Sequence, residues 1–134
     1  MIRTLALVHK ESKSQYGVMF PDFPGCVAAG RTLDVALDAA REALAFHVEG
    51  MRQDRVKIPV PRDLETIRAA KERWIDWTNA IVVFIALLPA PSKQERVNVM
   101  IDRRLLRAAD KRAKAAHQSR SALVNRALEA YLEG

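Results

Sequence analysis

The segment RVNVMI, residues 96–101, alternates polar and apolar side chains and decides how the rest of the chain is interpreted. Such alternation is typical of a β-strand, which presents successive side chains to opposite faces. Its apolar face carries Val97, Val99 and Ile101, and its polar face carries Arg96, Asn98 and Met100. No second strand adjoins it in sequence, so its backbone groups need either a distant sheet or the same strand of a second copy.

Two short helices are predicted after this strand. Asp102 is a suitable N-cap for a helix over residues 103–116, and Ser119 is one for a helix over residues 120–132. About forty residues with one apolar strand face and two short apolar stripes bury too little surface to be stable alone. Two copies can share one core, and we therefore expect a homodimer or higher homo-oligomer whose core contains Val97, Val99 and Ile101.

The polar face of the paired strands would form a two-stranded ribbon, and the major groove of DNA admits such a ribbon. Arg96 can donate two hydrogen bonds to guanine, and Asn98 can pair with adenine. The amides near Ser119, Arg120 and Ser121, at the start of the last helix, would favour a phosphate. The alternative to DNA binding is that the ribbon only forms the edge of the dimer and that its polar side chains face solvent.

The distribution of charge separates the chain into two parts. Of the net charge of +6, residues 93–134 contribute +5, from ten Lys and Arg against five Asp and Glu. This asymmetry favours a basic C-terminal module that meets a polyanion, although a solvated basic helix face fits equally well. A single cysteine and the lack of a signal peptide or a spanning segment predict a cytoplasmic protein with no membrane partner.

The first ninety residues predict a sheet domain of order β-β-β-α-α-β. Strands are expected over residues 2–8, 16–20, 26–30 and 80–88, with a hairpin turn over residues 9–15. Helices are expected from the N-cap Thr32 to about Met51, with Gly50 helping the chain to leave the helix, and over residues 62–74. The fold class is thus α+β, with domains at residues 1–90 and 95–134 joined by a linker at 91–94.

The C-terminal residues RVNVMID and SRSALVNRALEAYL resemble the ribbon-helix-helix family of DNA-binding domains over residues 94–133. Two positions depart from the family pattern. Met100 stands where a polar side chain is common, so it either contacts a thymine methyl group or reads nothing. The turn between the helices lacks the usual glycine, and residues 116–118 must supply the positive φ, which His117 tolerates.

The stretch YGVMFPDFPGCVAAGRTLDVALDAAREAL resembles the HicB family of antitoxins. The resemblance rests on Tyr16, Gly17, Pro21, Asp22, Pro24, Gly25, Cys26, Gly30, Thr32, Asp38 and Ala39. It implies a partial ribonuclease-H-like domain that covers the active site of a HicA-type, RNA-cleaving toxin. It also implies that the C-terminal domain represses the operon, so the expected partners are that toxin and double-stranded operator DNA.

Two other functions compete with this interpretation. A stand-alone ribbon-helix-helix regulator with an N-terminal sensor domain fits the same C-terminal motif. Asp22, Asp34, Asp38 and Glu42 invite a metal-nuclease interpretation, but a solvated helix face and a turn explain these carboxylates better. We therefore predict no catalytic residue, no metal site and no cofactor, and we expect Cys26 to be a small buried residue.

Overall fold

The computed structural model describes residues 1–11 and 15–134, and the fold is α+β as predicted. The elements are β1 (Ile2–Glu11), β2 (Gln15–Met19), β3 (Val27–Gly30), α1 (Leu33–Gln53), α2 (Leu64–Ala70), β4 (Ile81–Leu87), α3 (Arg103–Ala115) and α4 (Arg120–Glu133). They fall into two compact units, Met1–Leu87 and Leu88–Gly134. The predicted β-β-β-α-α-β order of the first unit is confirmed. The predicted hairpin turn over residues 9–15 is corrected in part, because residues 9–11 belong to β1 and Gln15 belongs to β2, while residues 12–14 lie outside the described residues.

The first unit is built on one antiparallel sheet of order β3-β2-β1-β4. Strand β1 lies inside the sheet and its residues alternate between two hydrophobic clusters. Ala6 and Val8 pack against α1, whereas Leu5 and Leu7 pack against α2 and the segment that follows it. Because both faces of β1 are covered, its central residues are inaccessible to solvent.

Helix α1 covers one face of the sheet. The hydroxyl of Thr32 accepts a hydrogen bond from the amide of Val35 at 3.2 Å, which confirms the predicted N-cap. Its buried side chains recur every four residues, at Ala36, Ala40, Leu44 and Val48. Gly30 lies under the start of this helix, where an added Cβ would come 2.4 Å from the backbone nitrogen of Ala36.

The end of α1 and the whole of α2 differ from the prediction. Helix α1 runs through Gly50 to Gln53, and the chain turns with a positive φ at Arg55 instead. Helix α2 is shorter than the predicted residues 62–74, because Asp63 caps its start and Lys71 takes a left-handed conformation at its end. Both ends depend on backbone conformations that apolar periodicity does not report.

The strand predictions near the sheet edges are also corrected. Strand β3 begins at Val27, since the amide of Cys26 donates to the carbonyl oxygen of Phe23 in the preceding turn. Strand β4 was expected to be covered on both faces, but Ile81 and Phe84 are about half exposed. Pairing with β1 alone leaves β4 at an edge of the sheet, with fewer neighbours to cover it.

The second unit contains α3 and α4, both capped as predicted. A carboxylate oxygen of Asp102 accepts from the amide of Arg104 at 2.8 Å, and the hydroxyl of Ser119 accepts from the amide of Ala122 at 3.1 Å. His117 supplies the predicted positive φ, at 53°. Nowhere in residues 1–11 and 15–134 is a helix long and apolar enough to cross a membrane.

Candidate nucleic-acid interface

The segment before α3, residues 88–102, forms neither helix nor strand in the single chain. The four-stranded sheet contains β1 to β4, and within the part of the chain that the structure describes it does not include this segment. Of the two alternatives for this segment, pairing within a distant sheet of the same chain is therefore not found among the described residues. Pairing with a second copy remains a prediction.

The residues expected in the dimer core are left in water by the single chain. Val97 and Val99 are each 67% exposed, and Ile101 is 40% exposed. Each of these apolar side chains would be stabilised by burial, at about 25 cal/mol per Å² of surface removed from water. The second unit therefore presents an apolar row that its own helices do not cover.

Most of the predicted DNA-binding residues surround one cleft within the second unit. The cleft has a volume of about 880 Å³ and lies between residues 91–101 and one side of α4. It is lined in part by Arg96, Asn98, Arg120 and Ser121. Met100 points into solvent and does not line it, and neither does Ser119, whose hydroxyl caps α4.

Arg120 has a partner that the sequence did not suggest. Its guanidinium donates two hydrogen bonds to the carboxylate of Asp110 on α3, both at 2.7 Å. This pair connects α3 to α4, yet both side chains are about half exposed, so solvent weakens the attraction. Spacing along the sequence does not reveal it, because the nine intervening residues include the turn at His117.

The Asp110–Arg120 pair changes the protonation of both groups. The hydrogen bonds from Arg120 lower the pKa of Asp110, and Asp110 raises the pKa of Arg120. Asp110 therefore stays ionised until the pH falls through its lowered pKa, and the stability that it contributes is lost over that range. At neutral pH one cation at the start of α4 is already paired with a carboxylate.

Asp22, a candidate metal ligand in the nuclease interpretation, has a structural partner instead. It is buried, and its carboxylate accepts from the backbone amide of Arg62 at 2.7 Å and from the Nε of Arg62 at 2.6 Å. Arg62 also donates to Glu72 at 3.0 Å. These bonds hold the turn at Gly25, whose φ is 87°, against the segment that enters α2.

The other candidate groups for chemistry are dispersed or inert. Asp34, Asp38 and Glu42 lie exposed on α1. Among the residues that the structure describes, no three His, Cys, Asp or Glu side chains are grouped to hold a metal ion. Cys26 is buried, as predicted, and burial raises the pKa of its thiol to about 11, which keeps it protonated at neutral pH.

Comparison with solved structures finds proteins that are similar to all or to part of this chain. The chain is 33% identical to the Burkholderia pseudomallei antitoxin HicB, whose crystal structure matches with a TM-score of 0.54 over 100% of this chain and 99% of that one. A chain of the HicA3 and HicB3 toxin-antitoxin complex is 25% identical, with a TM-score of 0.52 over 66% of this chain and 100% of that one.

A phage protein is also similar to this chain in sequence. The uncharacterized 14.9 kDa protein in the rep-hol intergenic region of Haemophilus phage HP1 is 36% identical over 95 residues, which are 71% of this chain and 70% of that protein. The family model for the HicB-like antitoxin of bacterial toxin-antitoxin systems matches residues 5–128. The resemblance to HicB proteins is thus confirmed, and the chain belongs to the HicB-like antitoxin family.

Proposed function

We propose that this chain is an antitoxin that covers the active site of a HicA-type, RNA-cleaving toxin. We also propose that it represses its own operon as a dimer of ribbon-helix-helix domains bound to operator DNA. Family membership and the similar chain in the HicA3 and HicB3 complex support the first activity. Covering an active site requires complementary shape and charge, so no catalytic residue is needed.

The exposed apolar row of the second unit carries the DNA-binding part of the proposal. Val97, Val99 and Ile101 are exposed in the single chain and would be buried if two copies paired through residues 96–101. Antiparallel pairing would also supply backbone hydrogen bonds that this segment lacks. A dimer would thus bury the apolar side chains of residues 96–101 and also satisfy their backbone hydrogen-bonding groups.

The charges of the second unit suit a DNA partner. Helix α3 carries six basic residues against the single acidic Asp110. On the paired strands, Arg96, Asn98 and Met100 would face the major groove and read base edges. The amides of Arg120 and Ser121 lie ahead of the first intrahelical hydrogen bond of α4, from Leu123 to Ser119, and would face a phosphate.

Toxin neutralisation is tested by co-expression. We expect the small basic protein encoded beside this chain to arrest growth when produced alone, and to be harmless when this chain is produced with it. Growth curves and the yield of a copurified complex measure this. A neighbouring protein that is not toxic, or whose toxicity this chain leaves unchanged, would contradict the antitoxin function and favour the sensor-regulator alternative.

Operator binding is tested with Arg96→Ala. We expect the substitution to weaken binding to the promoter DNA of its operon by about 1 to 3 kcal/mol and to relax the preference at one base pair, because two hydrogen bonds to guanine are lost. Gel-shift titrations against single-base variants of the DNA measure both effects. Arg55→Ala, on an exposed residue of the first unit, is the control. Unchanged affinity in Arg96→Ala would exclude base reading by this residue.

A further inference from the structure

The side of α1 that points away from the sheet has an ordered pattern of its own. We call it the α1 outer face, and it comprises an apolar row of Val35, Ala39 and Phe46 beside an acidic row of Asp38, Glu42 and Glu49. In both rows the spacing is four residues and then seven, which keeps each row on one line of a helix. The buried residues Ala36, Ala40, Leu44 and Val48 occupy the opposite side.

Phe46 is the unusual residue of this face. Its side chain is 84% exposed, and Glu42 and Glu49 lie one helical turn away on either side. Scattered exposed apolar residues are normal on a protein surface, but Phe46 continues a row with Val35, which is 52% exposed. An exposed aromatic residue within such a row is typical of an anchor that fills a cavity in a partner.

The charge of the α1 outer face is opposite to that of the whole chain. Helix α1 carries four acidic and two basic residues, although the chain has a net charge of +6. Arg41 and Arg52 pair with Asp38 and Glu49 at 3.3 and 3.7 Å. Glu42 forms no ion pair with any residue in the described ranges, so the acidic row retains negative charge beside Phe46.

We propose that the α1 outer face is the docking surface for the toxin, and that the toxin's cationic RNA-binding cleft receives it. This proposal rests on the proposed toxin neutralisation. A cleft that binds RNA presents lysines and arginines to phosphates and stacks bases on side chains. The carboxylates of Asp38, Glu42 and Glu49 complement such cations, and the ring of Phe46 takes the place of a base.

The dimensions of the face fit this role. At about 1.5 Å of rise per residue, the acidic row from Asp38 to Glu49 extends over about 16 Å, which is enough to cross a cleft. A helix that inserts one apolar row into a groove is a common mode of recognition between proteins. The α1 outer face would thus occupy the surface that RNA needs, and neutralisation would follow from competition.

The test compares two changes on this face with two changes elsewhere. The probe is the purified small basic protein encoded beside this chain, titrated by calorimetry at low and at moderate salt. We expect Phe46→Ala to raise the dissociation constant about thirtyfold. The double variant Glu42→Lys/Glu49→Lys should raise it more than tenfold at low salt, and less as salt screens the charges.

The controls carry matched changes outside the α1 outer face. Val60→Ala removes an apolar side chain that is 80% exposed, and Glu65→Lys reverses a charge on α2. Both should leave the dissociation constant within about twofold of the wild type, since exposed side chains outside an interface contribute little to affinity. Thermal unfolding of all variants shows whether each is folded.

The outcomes separate this proposal from the proposed function. Failure of the wild-type chain to bind the probe would overturn toxin neutralisation itself. Wild-type binding together with unchanged binding by Phe46→Ala and the double variant would overturn only the docking surface. If Phe46→Ala instead reduces the molar mass of the free protein in light scattering and leaves binding unchanged, a second copy covers this face, which also overturns the proposal.

Discussion

The two units of this molecule obtain their structure in different ways. The first unit buries both faces of β1 between α1 and α2, and its core includes the fully buried side chains of Phe20, Phe23 and Leu44. Among the described residues of the second unit, only Ala113 is a buried apolar residue. The first unit thus has a core within one chain, whereas the second has defined helices without one.

This difference indicates what each unit needs. Caps at Asp102 and Ser119 and the turn at His117 specify the helices of the second unit locally. Caps contribute about 1 kcal/mol each, which does not offset the entropy lost when some forty residues become ordered. The second unit therefore requires burial against another surface, and we expect that surface to cover its exposed valines, Val97 and Val99.

The largest effect is expected from Val99→Asp, because a dimer core would bury two unpaired charges. We expect loss of the dimer and of operator binding together, since leaving a charge unpaired in a core costs about 3 to 5 kcal/mol. Light scattering and gel shifts measure the two losses. The first unit should keep its thermal transition, because Val99 is not part of its core.

Met100→Asp is the matched control for Val99→Asp. The side chain of Met100 is fully exposed and belongs to the opposite face of the predicted strand. The variant should remain dimeric while binding operator DNA more weakly, because the new carboxylate would be brought into the groove of a polyanion that repels it. Equal loss of the dimer in both variants would contradict the two-faced strand.

The sequence predicted the elements that local signals determine. Thr32, Asp102 and Ser119 were identified as caps because a cap depends on residues within one helical turn. The cap of α2 was overlooked although it is local, since the carboxylate of Asp63 accepts from the amide of Thr66 within one helical turn. What the sequence could not predict is that the amide of Arg62, just before this cap, donates to Asp22, forty residues earlier. Asp22 and Arg62 come together only in the tertiary fold, and the spacing of apolar residues does not predict such a contact.

The sequence likewise predicted one part of the candidate nucleic-acid interface and missed another. The alternation of residues 96–101 predicts which side chains share a face of a strand, but the single chain does not test this, because all six residues are exposed and form no strand. The Asp110–Arg120 pair was missed, because it forms only once the turn at His117 brings α3 and α4 together. The predicted strand pairing between two chains likewise cannot appear in the structure of a single chain.

An intermediate effect is expected from Leu44→Ala in the first unit. Leu44 is fully buried between α1 and the sheet, so its truncation should lower the free energy of unfolding by about 2 to 5 kcal/mol. Denaturant titration measures this, with Val60→Ala as the exposed control. The dimer of the second unit should persist, and a joint loss of both would show that the two units do not fold independently.

The smallest effect is expected from Asp110→Asn, which releases Arg120 from its carboxylate partner. If Arg120 then reaches a phosphate, operator affinity should rise about twofold to threefold at low salt. The slope of log K against log salt concentration should steepen by about one, as one more phosphate is neutralised. Asp54→Asn, which makes the same charge change in the first unit, should change neither the operator affinity nor the slope of its salt dependence. The gain should vanish when Arg120→Ala is added, and weaker binding by Asp110→Asn alone would mean that the pair serves mainly to hold α4 against α3.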